Sequence, residues 1–147
     1  NCFLMDKDRV LLLQKPSKGW WVAPGGKMES GESIAEAVKR EYREETGLSI
    51  SKVQLASVFT VLMIDGENIF DEWMMFSFKA ADFAGTLVEN SPEGKLQWVE
   101  LAKVDELPMA EGDKIIFRHL QNDKPLLGTF VYTKDWKLMD YRIDEEG

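Results

Sequence analysis

The chain is poor in the residues that most often carry a reaction on their own. It has one cysteine, Cys2, and one histidine, His119, in 147 residues. One cysteine excludes an intrachain disulfide and suits a reducing, cytoplasmic setting. Cys2 has no basic neighbour in sequence to make it a nucleophile. His119 falls late in a helical segment, where a capping or surface role is the simpler reading. Apolar runs are short, far below the roughly 20 residues a membrane-spanning helix needs, and no signal-peptide pattern is visible. Positive charge is scarce too: 18 Lys and Arg stand against 26 Asp and Glu, a net charge of -8. That argues against long nucleic acid as a partner, since binding it needs a basic surface. The chain does not begin with Met and opens inside a strand, so residues are expected before Asn1.

The hydrophobic fraction, 44%, is enough for one cored domain spanning 1–147. Asn1 to Met5 and Arg9 to Gln14 read as a hairpin, and Trp20 to Ala23 as a short strand stopped by Pro24 and two glycines. Val53 to Ile64 and Glu72 to Lys79 read as a long hairpin around Asp65-Gly66-Glu67-Asn68. The second of these strands is apolar on both faces and so is expected to be central, with Met63, Met74 and Met75 as core packing. Phe83 to Leu87 and Leu96 to Glu100 read as extended, Asp113 to Leu120 as helical, and Thr129 to Thr133 with Trp136 to Ile143 as a final hairpin. Trp73 and Trp98 read as core. Of the adjacent Trp20 and Trp21, a strand turns only one inward. The pattern predicts a mixed sheet with two helices, α+β or α/β in class.

The decisive stretch is Gly25 to Leu48. A glycine-rich loop leads into a helix capped by Ser33, with Glu36 completing a capping box, and ended by Gly47. At ~100° per residue, Glu41 and Glu45 fall on the apolar stripe of Ile34 and Val38, with Glu44 at its edge. Buried carboxylates are costly unless paired or metal-bound. At i, i+3 and i+4 these three can converge, and oxygen-only ligands suit Mg²⁺ or Mn²⁺.

Gly26, five residues, Glu32, seven residues, then Arg40-Glu41-Tyr42-x-Glu44-Glu45-x-Gly47-Leu48 resembles the Nudix box. Tyr42 stands where an aliphatic residue is commoner. The resemblance implies a Nudix-type α/β/α sandwich with a mixed β-sheet, and hydrolysis of a nucleoside diphosphate linked to another group. It implies that Glu41, Glu44 and Glu45 hold Mg²⁺ or Mn²⁺, that a Gly26 carbonyl lies near the metal, that Arg40 holds the glutamates and that Glu32 supports the loop. Trp21 with Gly25, Gly26 and Lys27, then Asp71-Glu72-Trp73-Met74, Phe83-Ala84-Gly85 and Glu93 five residues before Trp98, are similar to the MutT-like branch that removes oxidised purine nucleotides such as 8-oxo-dGTP. That likeness implies a nucleoside triphosphate cleaved to the monophosphate and pyrophosphate, by a monomer or homodimer. It makes Glu93 a fourth acidic ligand or base, against an ordinary turn acid. It makes Asp113 a base-reading acid, against a helix N-terminal acid favoured by the dipole. Lys15, Lys18 and Lys27 would add positive charge at the pocket mouth, and Trp21 would wall or stack on the base. Val22 departs from the branch, which has asparagine there, so the base preference stays open. ADP-ribose, a dinucleoside polyphosphate or a 5′ RNA end are the other substrates of such a scaffold, and a non-catalytic nucleotide-binding domain is the remaining alternative.

Overall fold

The structure is a computed structural model that describes residues 1–17 and 19–145. The chain forms two compact units, one of Asn1–Gln54 with Phe78–Met109, the other of Leu55–Ser77 with everything from Ala110 onward. In the first unit the predicted hairpin is present as β1 (Cys2–Asp6) and β2 (Arg9–Gln14), paired antiparallel. The run Val10 to Leu13 is at most 1% exposed. Both faces of β2 are therefore covered, which is why an unbroken apolar run, rather than alternation, encodes it.

On its other side β2 pairs antiparallel with β9 (Gly94–Glu100), and at its end with β3 (Trp21–Val22), which keeps only two of the four residues expected. β8 (Asn90–Ser91) closes that edge. β1 runs parallel to Phe78–Ala80, the last residues of β6 (Asn68–Ala80), so the sheet is mixed, as predicted. Helix α1 (Ile34–Thr46) leads into β4 (Leu48–Ser51), which pairs with β7 (Asp82–Gly85). The sequence pattern had not separated β4, and the Phe83 to Leu87 segment shortens to β7. A 3-10 helix, Leu101–Glu106, follows β9.

The second unit holds β5 (Gln54–Asp65), the first ten residues of β6, helix α2 (Glu111–Arg118), β10 (Leu126–Thr133) and β11 (Leu138–Glu145). β10 lies parallel to β5 from Leu126↔Ser57 to Thr133↔Ile64 and antiparallel to β11. Its core is aromatic. Phe59 and Phe130 stack with centroids 3.9 Å apart at 4°, and Tyr132, Trp136 and Trp73 continue the cluster. β6 has β5 on one side and β1 on the other in the sheet order, so it is central, as expected, although Ile69, Phe70 and Met74 near its start are more than half exposed. Two expectations need correction. Met74 is not core but meets the Thr60 hydroxyl through its sulfur at 3.3 Å. Trp73 and Trp98 are likewise only partly buried, Trp98 lying against Phe83 and under the Arg9 guanidinium, 5.0 Å from its ring centroid.

α1 has the ends its sequence calls for. Ser33 Oγ accepts from the Glu36 N–H at 3.1 Å and Glu36 Oε1 accepts from the Ser33 N–H at 3.0 Å. Gly47 takes φ +81° and donates its N–H to the Arg43 carbonyl. A Cβ at Gly47 would also press on the Thr86 carbonyl, so glycine is required twice over. Ser33→Ala should therefore cost about 1 kcal/mol, read as a lower urea midpoint at unchanged slope; an unchanged midpoint would show the cap to be idle.

Candidate active site

α1 buries Ala37, Val38, Tyr42, Glu45 and Thr46. Most of this face is ordinary core. Tyr42 is fully buried, and its hydroxyl has no hydrogen-bond partner among the described residues. Such an orphan costs about 1–3 kcal/mol, and burial drives its pKa well above the usual phenol value. Thr46 satisfies its hydroxyl by donating to the Tyr42 carbonyl at 2.6 Å, and Glu45 is the one carboxylate on this face. Its Oε2 accepts from the Gly25 N–H at 2.7 Å, a bond no local pattern had indicated. The Glu41 carboxylate packs on the Cα of Gly26, where any Cβ would overlap it. The two loop glycines thus do separate work, Gly25 as a donor and Gly26 as a seat.

Arg40 joins the loop to the helix. Its Nε and Nη2 donate to the two oxygens of Glu32 at 2.6 and 3.0 Å, a bidentate pair. Nη2 also donates to the Lys27 carbonyl at 3.0 Å. Nη1 donates to Glu41 Oε1 at 2.9 Å and to Glu44 Oε2 at 3.1 Å, and lies 3.3 Å from Glu29 Oε1. Glu32 in turn accepts from the Glu29 N–H at 2.8 Å, which closes the loop on itself. Hydrogen bonds from Arg40 and from the Glu29 N–H hold the Glu32 carboxyl below the usual carboxylate range, and the same carboxylates raise the pKa of Arg40.

Glu45 is shifted the opposite way. Burial pushes its carboxyl up to about 7, against the Gly25 N–H, which favours the charged form. The charges of Glu41 and Glu93 push the same way as burial, and Lys15 opposes them. Glu93, from the exposed turn between β8 and β9, is therefore near enough to Glu45 to be felt. Its own N–H donates to Ser91 Oγ at 3.3 Å.

The first unit thus brings together Gly26, Glu32, Arg40, Glu41, Glu44, Glu45 and Glu93. Trp21 belongs to the same unit and is 7% exposed, with its N–H donating to the Pro108 carbonyl, while Trp20 is only partly buried. Lys27 is exposed. Lys18 lies outside the described residues. Asp113 belongs to the second unit, in the first turn of α2. Burial pushes its carboxyl up to about 6. His119 stands at the C-cap of α2, its Nδ1 2.8 Å from the Ile115 carbonyl, which agrees with a capping role.

Among the described residues no three His, Cys, Asp or Glu side chains are gathered around one point at ligand distances. Glu41 and Glu44 meet at Arg40 Nη1 instead of converging with Glu45. The donor set still fits a hard divalent cation. It is made of oxygen only, and burial first, then the charges of Glu41 and Glu93, make the ionised Glu45 costly, a cost that a cation would relieve. Glu44 is exposed and tied to Arg40 by one hydrogen bond, so turning it breaks a single surface ion pair, a small cost.

Comparison with known proteins agrees with this geometry. The sequence model described as "NUDIX domain" matches residues 1–120. The chain is 53% identical over 147 residues to a protein of Bacillus subtilis named "Uncharacterized Nudix hydrolase YvcI", covering 99% of this chain and 93% of that one. It is 29% identical over 140 residues to a Danio rerio protein named "Oxidized purine nucleoside triphosphate hydrolase", covering 93% and 87%. A crystal structure of a mutator MutT protein from Bacillus halodurans superposes with a TM-score of 0.95 at 55% identity, covering 100% of this chain and 97% of that one. Among the described residues no helix is long and apolar enough to cross a membrane. With the box residues gathered on α1 and its loop, the chain belongs to the Nudix family, as a hydrolase of the MutT type.

Proposed function

We propose that the chain, acting as one domain over 1–147 in the cytoplasm, is a divalent-metal-dependent pyrophosphohydrolase of nucleoside triphosphates. It releases the nucleoside monophosphate and pyrophosphate, with oxidised purine nucleotides such as 8-oxo-dGTP among its substrates. The observation that carries the reading is the joint hold of the Gly25–Gly26 loop and Arg40 on the helix acids, with the Gly25 N–H on Glu45, Gly26 against Glu41, and Arg40 on Glu32 and Glu41. Such an arrangement of charge is costly to a fold and useful to a phosphate-cleaving site. The name of the zebrafish relative supports the triphosphate part.

Glu41, Glu44, Glu45 and Glu93, with the Gly26 carbonyl, would hold Mg²⁺ or Mn²⁺. When bound, the cation supplies Lewis-acid neutralisation of phosphate oxygens. The protein's own part is to fix these oxygens before substrate arrives. The Gly25 N–H orients Glu45, Gly26 seats Glu41, and Arg40 holds Glu41 while Glu32 fixes Arg40. Groups set in advance need not reorganise as charge develops in the transition state. Lys18, Lys27, Trp21 and Asp113 are the proposed substrate contacts.

The test is a panel of nucleoside triphosphates, 8-oxo-dGTP, matched diphosphates, ADP-ribose and a dinucleoside polyphosphate, with Mg²⁺ or Mn²⁺ and with products separated. Metal-dependent release of pyrophosphate from triphosphates is expected. Preference for ADP-ribose would move the substrate to another Nudix class, and no turnover of any nucleotide would overturn the reading.

A further inference from the structure

Beside the acidic helix the first unit has a feature of opposite sign. Gln14, Lys15, Pro16, Gly19 and Lys95 line an open cleft of about 250 Å³. Its two cations come from different strands or their ends. Lys15 follows the last residue of β2, and Lys95 stands on β9 directly opposite Gln14 in the β2–β9 ladder. The floor is fixed, because Gln14 Nε2–H donates to the Gly19 carbonyl at 3.2 Å and the Lys15 N–H donates to the Trp20 carbonyl at 2.7 Å. Both lysines are exposed, and neither ammonium has an ion-pair partner among the described residues.

The two ammoniums line one concavity, and Lys15 is near enough to Glu45 to favour its charged form. The cleft therefore adjoins the acid cluster. Two unpaired ammoniums in one concavity next to a phosphate-cleaving site form a receptor for a compact, multiply charged anion.

We propose that the Lys15–Lys95 cleft takes the terminal phosphates of the substrate, the part that leaves as pyrophosphate, and that it makes the enzyme favour nucleoside triphosphates over diphosphates. This rests on the nucleotide reading above. A triphosphate reaches the cleft with a phosphate beyond the scissile bond that a diphosphate lacks, so the cleft acts on the difference between the two. Lys95 is then a specificity residue, separate from the groups on α1. Its side chain stands on the surface of a strand held by backbone pairing, so replacing it leaves the ladder with β2 intact.

The experiment compares wild type with Lys95→Gln, Lys95→Arg and Lys15→Gln on a nucleoside triphosphate and its matching diphosphate. Losing one charged hydrogen bond should cut the ratio of the two kcat/KM values by about tenfold in either Gln variant. Lys95→Arg should restore most of it, and high salt should shrink the wild-type ratio. An unchanged ratio, or equal losses on both substrates, overturns the proposal. A second arm does not depend on turnover: titration of inorganic pyrophosphate with Mg²⁺ into the same proteins. Weaker binding by about tenfold in Lys95→Gln supports the cleft even if no nucleotide is cleaved, and equal binding by wild type and Lys95→Gln overturns it.

Discussion

Glu45→Gln is expected to lower kcat by on the order of a hundred- to a thousand-fold while the protein stays folded. Glutamine keeps the shape of the side chain, and its amide oxygen can still accept from the Gly25 N–H. What is lost is the negative charge placed where a cation and phosphate oxygens would meet. The same change should raise stability when a chelator is present. The folded pKa of Glu45 lies above its ordinary value of 4.5, at about 7. The folded state therefore holds this proton more tightly than the unfolded chain. Stability falls as pH rises from about 4.5 through 7, and the full penalty, of order 3 kcal/mol, is present above that. Glutamine has no such slope. At pH 8 in chelator the variant should melt several degrees above wild type, while at pH 4 the two should coincide. Activity near wild type would remove Glu45 from the site, and a variant that melts lower at pH 8 would show that its charge is not under strain.

Arg40→Lys is expected to be nearly as damaging as Arg40→Ala, by on the order of a hundred-fold in kcat/KM. Conserving the charge does not conserve the job. The guanidinium reaches Glu29, Glu32, Glu41, Glu44 and the Lys27 carbonyl at once, with a bidentate pair at its centre. An ammonium is a single point with no planar fork. In either variant the loop 27–32 loses its tie to α1, so amide exchange at Glu29 and Glu32 should accelerate. These amides donate to Glu32 Oε1 and to the Glu29 carbonyl. Exchange on the buried face of α1 should change little. Full activity in Arg40→Lys would mean that charge alone, without geometry, is what the site needs.

These two residues also mark where the sequence was readable. The limits of α1 follow from Ser33, Glu36 and Gly47, because caps are local and short-range chemistry is written locally. The inward stripe carrying Glu41 and Glu45 follows from helical spacing, and the hairpins follow from short polar turns between apolar runs. Other features depend on partners distant in sequence. Nothing near Gly25 says that its N–H faces Glu45, 20 residues on. Nothing near Lys95 says that Gln14 lies across from it. Leu48-Ser49-Ile50-Ser51 alternates buried and exposed as a strand should, but four residues abutting a helix end are too short to separate by pattern. The exposure of Ile69, Phe70 and Met74 on β6 is hidden for a related reason: which side of a strand meets solvent is a property of the assembled sheet, not of those residues.

The two units are each built from two separated lengths of chain, and β6 belongs partly to each. No single cut can therefore part them. The end of the family match has no more claim to be a boundary, since a chain stopped at residue 120 would keep β5 but lose β10, its parallel neighbour from Ser57 to Ile64. That would bare eight residues of strand edge rich in Val, Leu and Ile, the kind of surface that seeks another chain. The stretch after residue 120 is thus the sheet's guard against aggregation, and an expression fragment trimmed to the recognisable motif would be expected to precipitate rather than to work.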